Sequence, residues 1–293
     1  MERFDFSAFV DDKKTGRDLV PGDGYAFEGD LKVLRAMRSA RSVELAVSQL
    51  VKLSKNVYTG DLLGTAVRVG PSQFPRVHRI AEQCARRLGI KTPQIYVVPN
   101  HHINAMTAGT EDDSFIVIHS ATLEHMTDDE LRFIIGHECG HIQNKHVVYL
   151  TTLRILQTMA QLAAGAMLAP LLMPVTLALN GWSRAAEITC DRAGLLCVRD
   201  LRTAEDSFLK LAVGSRKLFQ ELNREVYLAQ LGESQQSVGR MGELKHSHPY
   251  LTKRIEALRI FSRSAFFREA VGLTEGLSRD ELERQTTELV KVI

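Results

Sequence analysis

The chain has 293 residues, of which 44% are hydrophobic and 25% charged, and its formal net charge is +2. That length allows one large core with appendages, and the near-neutral balance excludes the basic footprint of a nucleic-acid-binding protein. The four cysteines, Cys84, Cys139, Cys190 and Cys197, form no C-x-x-C pair, as expected of a reduced, cytoplasmic chain.

In chain order, the opening MERFDFSAFVDDKK has no basic stretch leading into an apolar one, so no secretory signal is expected. Residues up to about 30 end in PGDGYAFEGD and read as loop. Residues 31–58 carry helical periodicity through Leu31, Leu34, Leu45, Leu50 and Leu53. Together they make an N-terminal extension, 1–73, ahead of a domain over 74–262 and a helical tail over 263–293. RVHRIAEQCARRL, 76–88, is an amphipathic helix stopped by Gly89. Strands are expected at QIYVVP, at INAMTAG (103–109) and at SFIVIH (114–119). Thr127 and Glu130 fit a capping box, with Asp128 and Asp129 in the first turn, and the helix continues through LRFIIGHECGHIQNKHVVYL.

No charged residue occurs between Arg154 and Arg184. The apolar run Leu162–Leu179 is about long enough to span a bilayer, but Pro170 and Pro174 interrupt it and Gly165 weakens it. The expectation is two short apolar helices paired as a hairpin over 155–181, with contact to a membrane as the alternative. A further helix is expected from near Trp182, carrying Glu187 and Asp191. Ser278 and Glu281 fit a second capping box on the C-terminal helix.

His137-Glu138-Cys139-Gly140-His141 is an H-E-x-x-H motif. Residues four apart share a helix face, so both imidazoles can reach one zinc ion. Glu138 lies about 100° around the helix and can flank a metal without binding it, placed to take a proton from water. The string FIIGHECGHI puts ionisable groups where a core helix favours leucine, and burial without a partner would be costly. A third ligand is needed. The scheme with a histidine six residues after His141 fails, because that position is Val147. His146 is expected to point away from the metal. The other scheme takes a carboxylate from a later helix, and SRAAEITCD offers Glu187 and Asp191 on one face; spacing alone leaves an ordinary pair of helix acids equally open.

Four strings in order, INAMTAG, TDDELRFIIGHECGHIQNKH, SRAAEITCDRAG and SHPYLTKRI, resemble the HtpX-like zinc metallopeptidases of the gluzincin clan, a group that includes HtpX, the Oma-type mitochondrial proteases and the CAAX prenyl endopeptidases. The resemblance covers roughly residues 70–262. It implies one Zn²⁺ per chain on His137, His141 and Glu187, with Glu138 as general base. Asp191 would bond a ligand histidine from outside, and His248 would face the substrate. Asn104 and Ala105 would lie on the edge strand that pairs with substrate, and Arg254 would be a structural or site-lining charge, grouped here with the substrate-binding residues. Cys139 and Cys190 depart from the residues common in that family and place thiols near a metal.

The expected fold is α+β, a mostly helical zincin-type domain with a small β-sheet beside the H-E-x-x-H helix. The expected function is zinc-dependent metalloendopeptidase activity on protein or peptide substrates, in quality control or processing, with membrane association through 155–181 as an option. The rival reading is a zinc-stabilised chaperone-like or binding protein with latent or absent proteolysis.

Overall fold

The computed structural model describes residues 22–39, 64–110, 113–161, 165–236, 243 and 246–291. A one-turn helix α1 (Gly22–Tyr25) leads into α2 (Glu28–Ser39), the described start of the periodicity seen from residue 31; residues 40–58 of that expected helix lie outside the described residues. Helix α3 (Pro75–Leu88) ends as expected at Gly89, whose φ of 66° is left-handed and whose N–H reaches the carbonyls of Ala85 and Arg86.

Four strands form one sheet. β1 (Val67–Arg68) is a short strand with no sequence signal, followed by β2 (Gln94–Val98), β3 (Ala105–Gly109) and β4 (Ser114–His119). The order is β1-β2-β4-β3, with β2 and β4 parallel and the outer pairs antiparallel. β4 is buried on both faces: Ile116 and Ile118 join the main core, while Phe115 and Val117 pack with Tyr96 and Ala108 on the other side. This explains its continuous apolar run. β3 is left at the edge.

After α4 (Ser120–His125) comes the motif helix α5 (Asp128–Gln143). Its capping box is formed: the Thr127 N–H donates to Glu130 Oε2 at 2.7 Å, and the Glu130 N–H donates to Thr127 Oγ1 at 3.3 Å. α6 (Val147–Gln161) and α7 (Gly165–Val198) follow, separated by residues 162–164, which lie outside the described residues. The paired helices expected over 155–181 are there, but their division differs from the expectation. Pro170 and Pro174 lie inside α7, a single helix of 34 residues that also carries Glu187 and Asp191, and no new helix begins at Trp182. Each proline removes one backbone bond near the start of the helix, while packing of the later turns on α5 and α6 holds the axis; tertiary contacts override local propensity here. Among the described residues no helix is long and apolar enough to cross a membrane.

The chain finishes with α8 (Leu201–Val213), α9 (Arg216–Phe219), α10 (Arg224–Gln236), α11 (Leu251–Ser262), α12 (Ala265–Ala270) and α13 (Arg279–Val290). Ser278 caps α13 by accepting the Glu281 N–H, but the Glu281 carboxylate turns to Arg284 and Gln285 instead of closing the box. Arg192 on α7 ties the two ends of the chain together. Its guanidinium donates to the Tyr25 carbonyl at 3.0 Å, to Glu283 Oε1 at 2.7 Å and to Thr286 Oγ1 at 3.1 Å.

Glycines set the α5–α7 crossing, which places the motif against Glu187. A Cβ added at Gly140 would stand 2.8 Å from the Ala193 Cβ, and one at Gly136 would stand 2.7 Å from the Cys197 Cβ. From the other side, a Cβ at Gly194 would meet the Phe133 carbonyl oxygen at 2.7 Å. The axes therefore lie closer than any side chain there would permit. In a helix with room to spare, Gly→Ala would stabilise by about 0.5–1 kcal/mol. Here Gly140→Ala is expected to destabilise by about 1–3 kcal/mol through overpacking. The urea midpoint checks the sign, and a rise would mean a loose crossing.

Candidate metal centre

The packing of α5 on α7 brings three donors together. His137 and His141, one turn apart, present rings whose centroids are 4.9 Å apart. Glu187 enters from α7, with Oε2 3.5 Å from His137 Nε2 and Oε1 3.4 Å from His141 Nε2. One ligand atom from each residue lies within 4.8 Å of the others, and all three residues are buried. Glu187 Oε2 is buried yet accepts no well-directed hydrogen bond. The spacings of 3.4–3.5 Å are long for N–H···O bonds. They suit donors about 3.3–3.4 Å apart around a tetrahedral ion with bonds of about 2.0–2.1 Å. Two nitrogens and one carboxylate, with a fourth direction open to a cleft, is a donor set that fits a catalytic divalent ion.

The electrostatics agree. Burial opposes charge on His137, but the Glu187 carboxylate and the Asp191 hydrogen bond outweigh it and raise its pKa. Burial also resists ionisation of Glu187, yet His248, Arg254 and His137 hold its carboxyl well below the usual range. His141 is pushed down, chiefly by burial. A field that holds a proton on His137 also favours a cation at the same place.

Asp191, one turn after Glu187, meets His137 Nδ1 at 2.9 Å. Arg254 on α11, expected as a structural or site-lining charge, lies behind the histidines and not among the cleft residues. Its Nε donates to Asp191 Oδ2 at 2.8 Å and its Nη2 to Oδ1 at 2.6 Å, while Nη1 sits 3.1 Å from Glu187 Oε2. Its guanidinium thereby engages both carboxylates and clamps them from behind.

The cleft beside these donors is lined by Asn104, Ala105, Glu138, Ser247 and His248, among others. Glu138 Oε2 accepts the Thr107 hydroxyl at 2.6 Å, which fixes the carboxylate's rotamer. His248 stands at the cleft mouth with 62% of its side chain exposed and Nδ1 2.9 Å from Glu187 Oε2.

On β3, Asn104 bonds toward β4 through its carbonyl (His119 N–H, 3.0 Å), so by alternation Ala105, Thr107 and Gly109 turn their backbone groups to the free edge. α6 occupies part of that edge: Arg154 donates to the Thr107 carbonyl at 2.5 Å and Thr151 to the Gly109 carbonyl at 3.4 Å. The Ala105 N–H is taken by Asn104 Oδ1 at 3.0 Å.

Three residues of this neighbourhood escape sequence reasoning. Thr107 gives no signal beyond lying in a strand. His146 is not directed outward as expected: it is fully buried, with its Nδ1 3.2 Å from His141 Nδ1. Asp30, on α2, lies 3.1 Å from the other side of that ring. Of the two cysteines near the motif, Cys139 faces the core, and Cys190 Sγ is 3.6 Å from His146 Nδ1. His141, His146 and Cys190 form a second set of clustered donors. Burial pushes the Cys190 thiol up, away from the thiolate that binds metal.

The pattern that defines peptidase family M48 matches residues 71–261. The chain belongs to this family. The resemblance carried by the four strings is thus borne out, and the family puts the chain among the metal-dependent peptidases. It is 33% identical over 190 residues to the plastoglobule-localized metallopeptidase 48, chloroplastic, of Arabidopsis thaliana, an alignment covering 64% of this chain and 54% of that protein. It is 24% identical over 233 residues to a protease HtpX homolog of Trichormus variabilis, covering 69% of this chain and 80% of that one. A protease HtpX homolog of Pyrococcus abyssi is 33% identical over 101 residues, 34% of this chain and 32% of the relative. The chain thus spans about half the length of the plastoglobule relative. No solved structure matches it.

Proposed function

We propose that the chain is a zinc-dependent metalloendopeptidase, with His137, His141 and Glu187 as the metal ligands and Glu138 as general base. The observation that carries this is the convergence of three buried donors, one ligand atom from each within 4.8 Å of the others, with the Glu138 carboxylate beside them on the same cleft.

When bound, zinc supplies a Lewis acid for a carbonyl and for water. The protein's own groups do the rest. Glu138, held by Thr107, accepts a proton from the attacking water and returns it to the leaving amine. His248 stabilises negative charge as it develops on the substrate oxygen. An extended protein or peptide lies along β3, with Asn104 and Ala105 at the end of the strand that lines the cleft. Arg254 and Asp191 hold the histidine side of the site still. The role is quality control or processing of proteins.

Casein hydrolysis that stops on chelation and returns with about one equivalent of zinc tests the proposal; hydrolysis indifferent to chelators would end it. His248→Ala is expected to lower kcat by about 10²–10³-fold, the loss typical of one oxyanion donor, with metal content unchanged. Normal turnover would leave His248 a structural residue.

The proposed location is the cytoplasm, with the α6–α7 pair as the contact with a membrane surface. Met173, Val175 and Leu177, near the start of α7, are exposed and apolar. Co-sedimentation with phospholipid vesicles is expected to weaken in a Met173→Ser, Val175→Ser, Leu177→Ser variant; no sedimentation of the parent chain would remove the membrane contact.

A further inference from the structure

We infer that His146 and Asp30 are positioning residues of the metal centre, orienting His141 from behind as Asp191 orients His137. The inference rests on the zinc reading above and extends it to a residue outside the matched span of 71–261.

Lys145 has a φ of 60°, in the left-handed region, although it is not glycine. Its N–H bonds to the Ile142 carbonyl at 3.2 Å, and the His146 N–H bonds back to the His141 carbonyl at 3.0 Å. That pair of bonds is a Schellman turn, which brings the side chains of the third-last helical residue and the second residue past the cap into contact. Those two residues are His141 and His146, whose rings stand 5.4 Å apart. A continued helix would have turned His146 away; the left-handed turn folds it back under the ligand.

The hydrogen-bond bookkeeping then has one consistent solution. If His141 Nε2 offers its lone pair to the metal, its proton is on Nδ1. That N–H points at His146 Nδ1, 3.2 Å away, which must accept. The Cys190 Sγ lies 3.6 Å from the same nitrogen, whose single lone pair is then taken by His141. The His146 proton therefore sits on Nε2, which lies 3.1 Å from Asp30 Oδ2 and off the ideal hydrogen-bond axis. Asp30 is fully buried and fixed in turn by the Trp182 indole on Oδ1 at 2.9 Å and the Thr189 hydroxyl on Oδ2 at 2.7 Å. Trp182 also packs edge-on against the His146 ring, with centroids 5.5 Å apart. On the other ligand the chain is one step shorter: His137 to Asp191, clamped by Arg254.

Asp30→Asn changes this chain with little change of shape. The new amide donates toward His146 Nε2, which drives the His146 proton to Nδ1 and the His141 proton to Nε2, where it blocks the metal. Zinc affinity, read by competition with a chromogenic chelator, is expected to fall about 10–100-fold in Asp30→Asn and in His146→Leu, the range typical of outer partners of metal ligands. His146→Gln keeps an acceptor for His141 and is expected to restore affinity to within about 3-fold of the parent. The Co²⁺ d–d bands are expected to shift in Asp30→Asn and not in His146→Gln. Asp30→Asn carries the test should His146→Leu fail to fold. Unchanged affinity in Asp30→Asn, in a parent chain that binds zinc, overturns the inference and leaves the zinc reading standing. A parent chain that binds no zinc overturns both.

Discussion

Glu138→Gln is expected to lower peptide hydrolysis by about 10²–10⁴-fold, the contribution typical of a positioned general base, while zinc content stays at that of the parent chain. The separation of the two effects follows from geometry. Glu138 is not one of the clustered donors His137, His141 and Glu187, so a neutral amide in its place removes none of them. Glutamine has the same shape, and its carbonyl oxygen can accept the Thr107 hydroxyl that Glu138 Oε2 accepts at 2.6 Å. What glutamine cannot do is accept a proton from water and pass it on. Metal analysis and a fluorogenic peptide assay on the same preparation read both quantities. Retained activity would remove Glu138 as base; lost metal would make it a ligand.

Glu187→Ala is expected to weaken zinc binding by more than the roughly 10–100-fold that outer partners cost, and to abolish hydrolysis with it. Only two nitrogens would remain, and the carboxylate that leads in raising the His137 pKa against burial would be gone. The fold is expected to survive, because Arg254 keeps both of its bonds to Asp191 at 2.6 and 2.8 Å when Glu187 is removed. Equilibrium dialysis against a zinc buffer, with circular dichroism as the fold control, makes the measurement. Unchanged zinc content would mean that another residue is the third ligand.

The histidine pair is legible in helix periodicity, whereas Glu187 and Asp191 are told from an ordinary pair of helix acids only by the resemblance that the four strings carry. His137 and His141 are four apart, Glu187 and Asp191 are four apart, and a capped helix announces the first pair through Thr127 and Glu130. The strands at 94–98 and 114–119 are equally readable from their β-branched, apolar residues. Other features depend on contacts or backbone conformations that periodicity does not report. The left-handed turn at Lys145 has no glycine to signal it, so the sequence reads as a continuing helix and aims His146 the wrong way. Asp30 reaches the site only because α2 packs on α7, where the Phe27 N–H meets Thr189 Oγ1 at 3.1 Å. Gly136, Gly140 and Gly194 look like weak points in two helices until the closeness of the crossing shows why they are there. Pro170 and Pro174 read as breaks, yet packing carries α7 through both.

The most direct test of the metal site is X-ray absorption at the zinc edge of the zinc-loaded chain. The account predicts only nitrogen and oxygen neighbours at about 2.0–2.2 Å, two of them with the outer-shell scattering of imidazole, as His137, His141 and Glu187 would give. A sulfur neighbour at about 2.3 Å would place the metal instead in the His141, His146 and Cys190 cluster and contradict it.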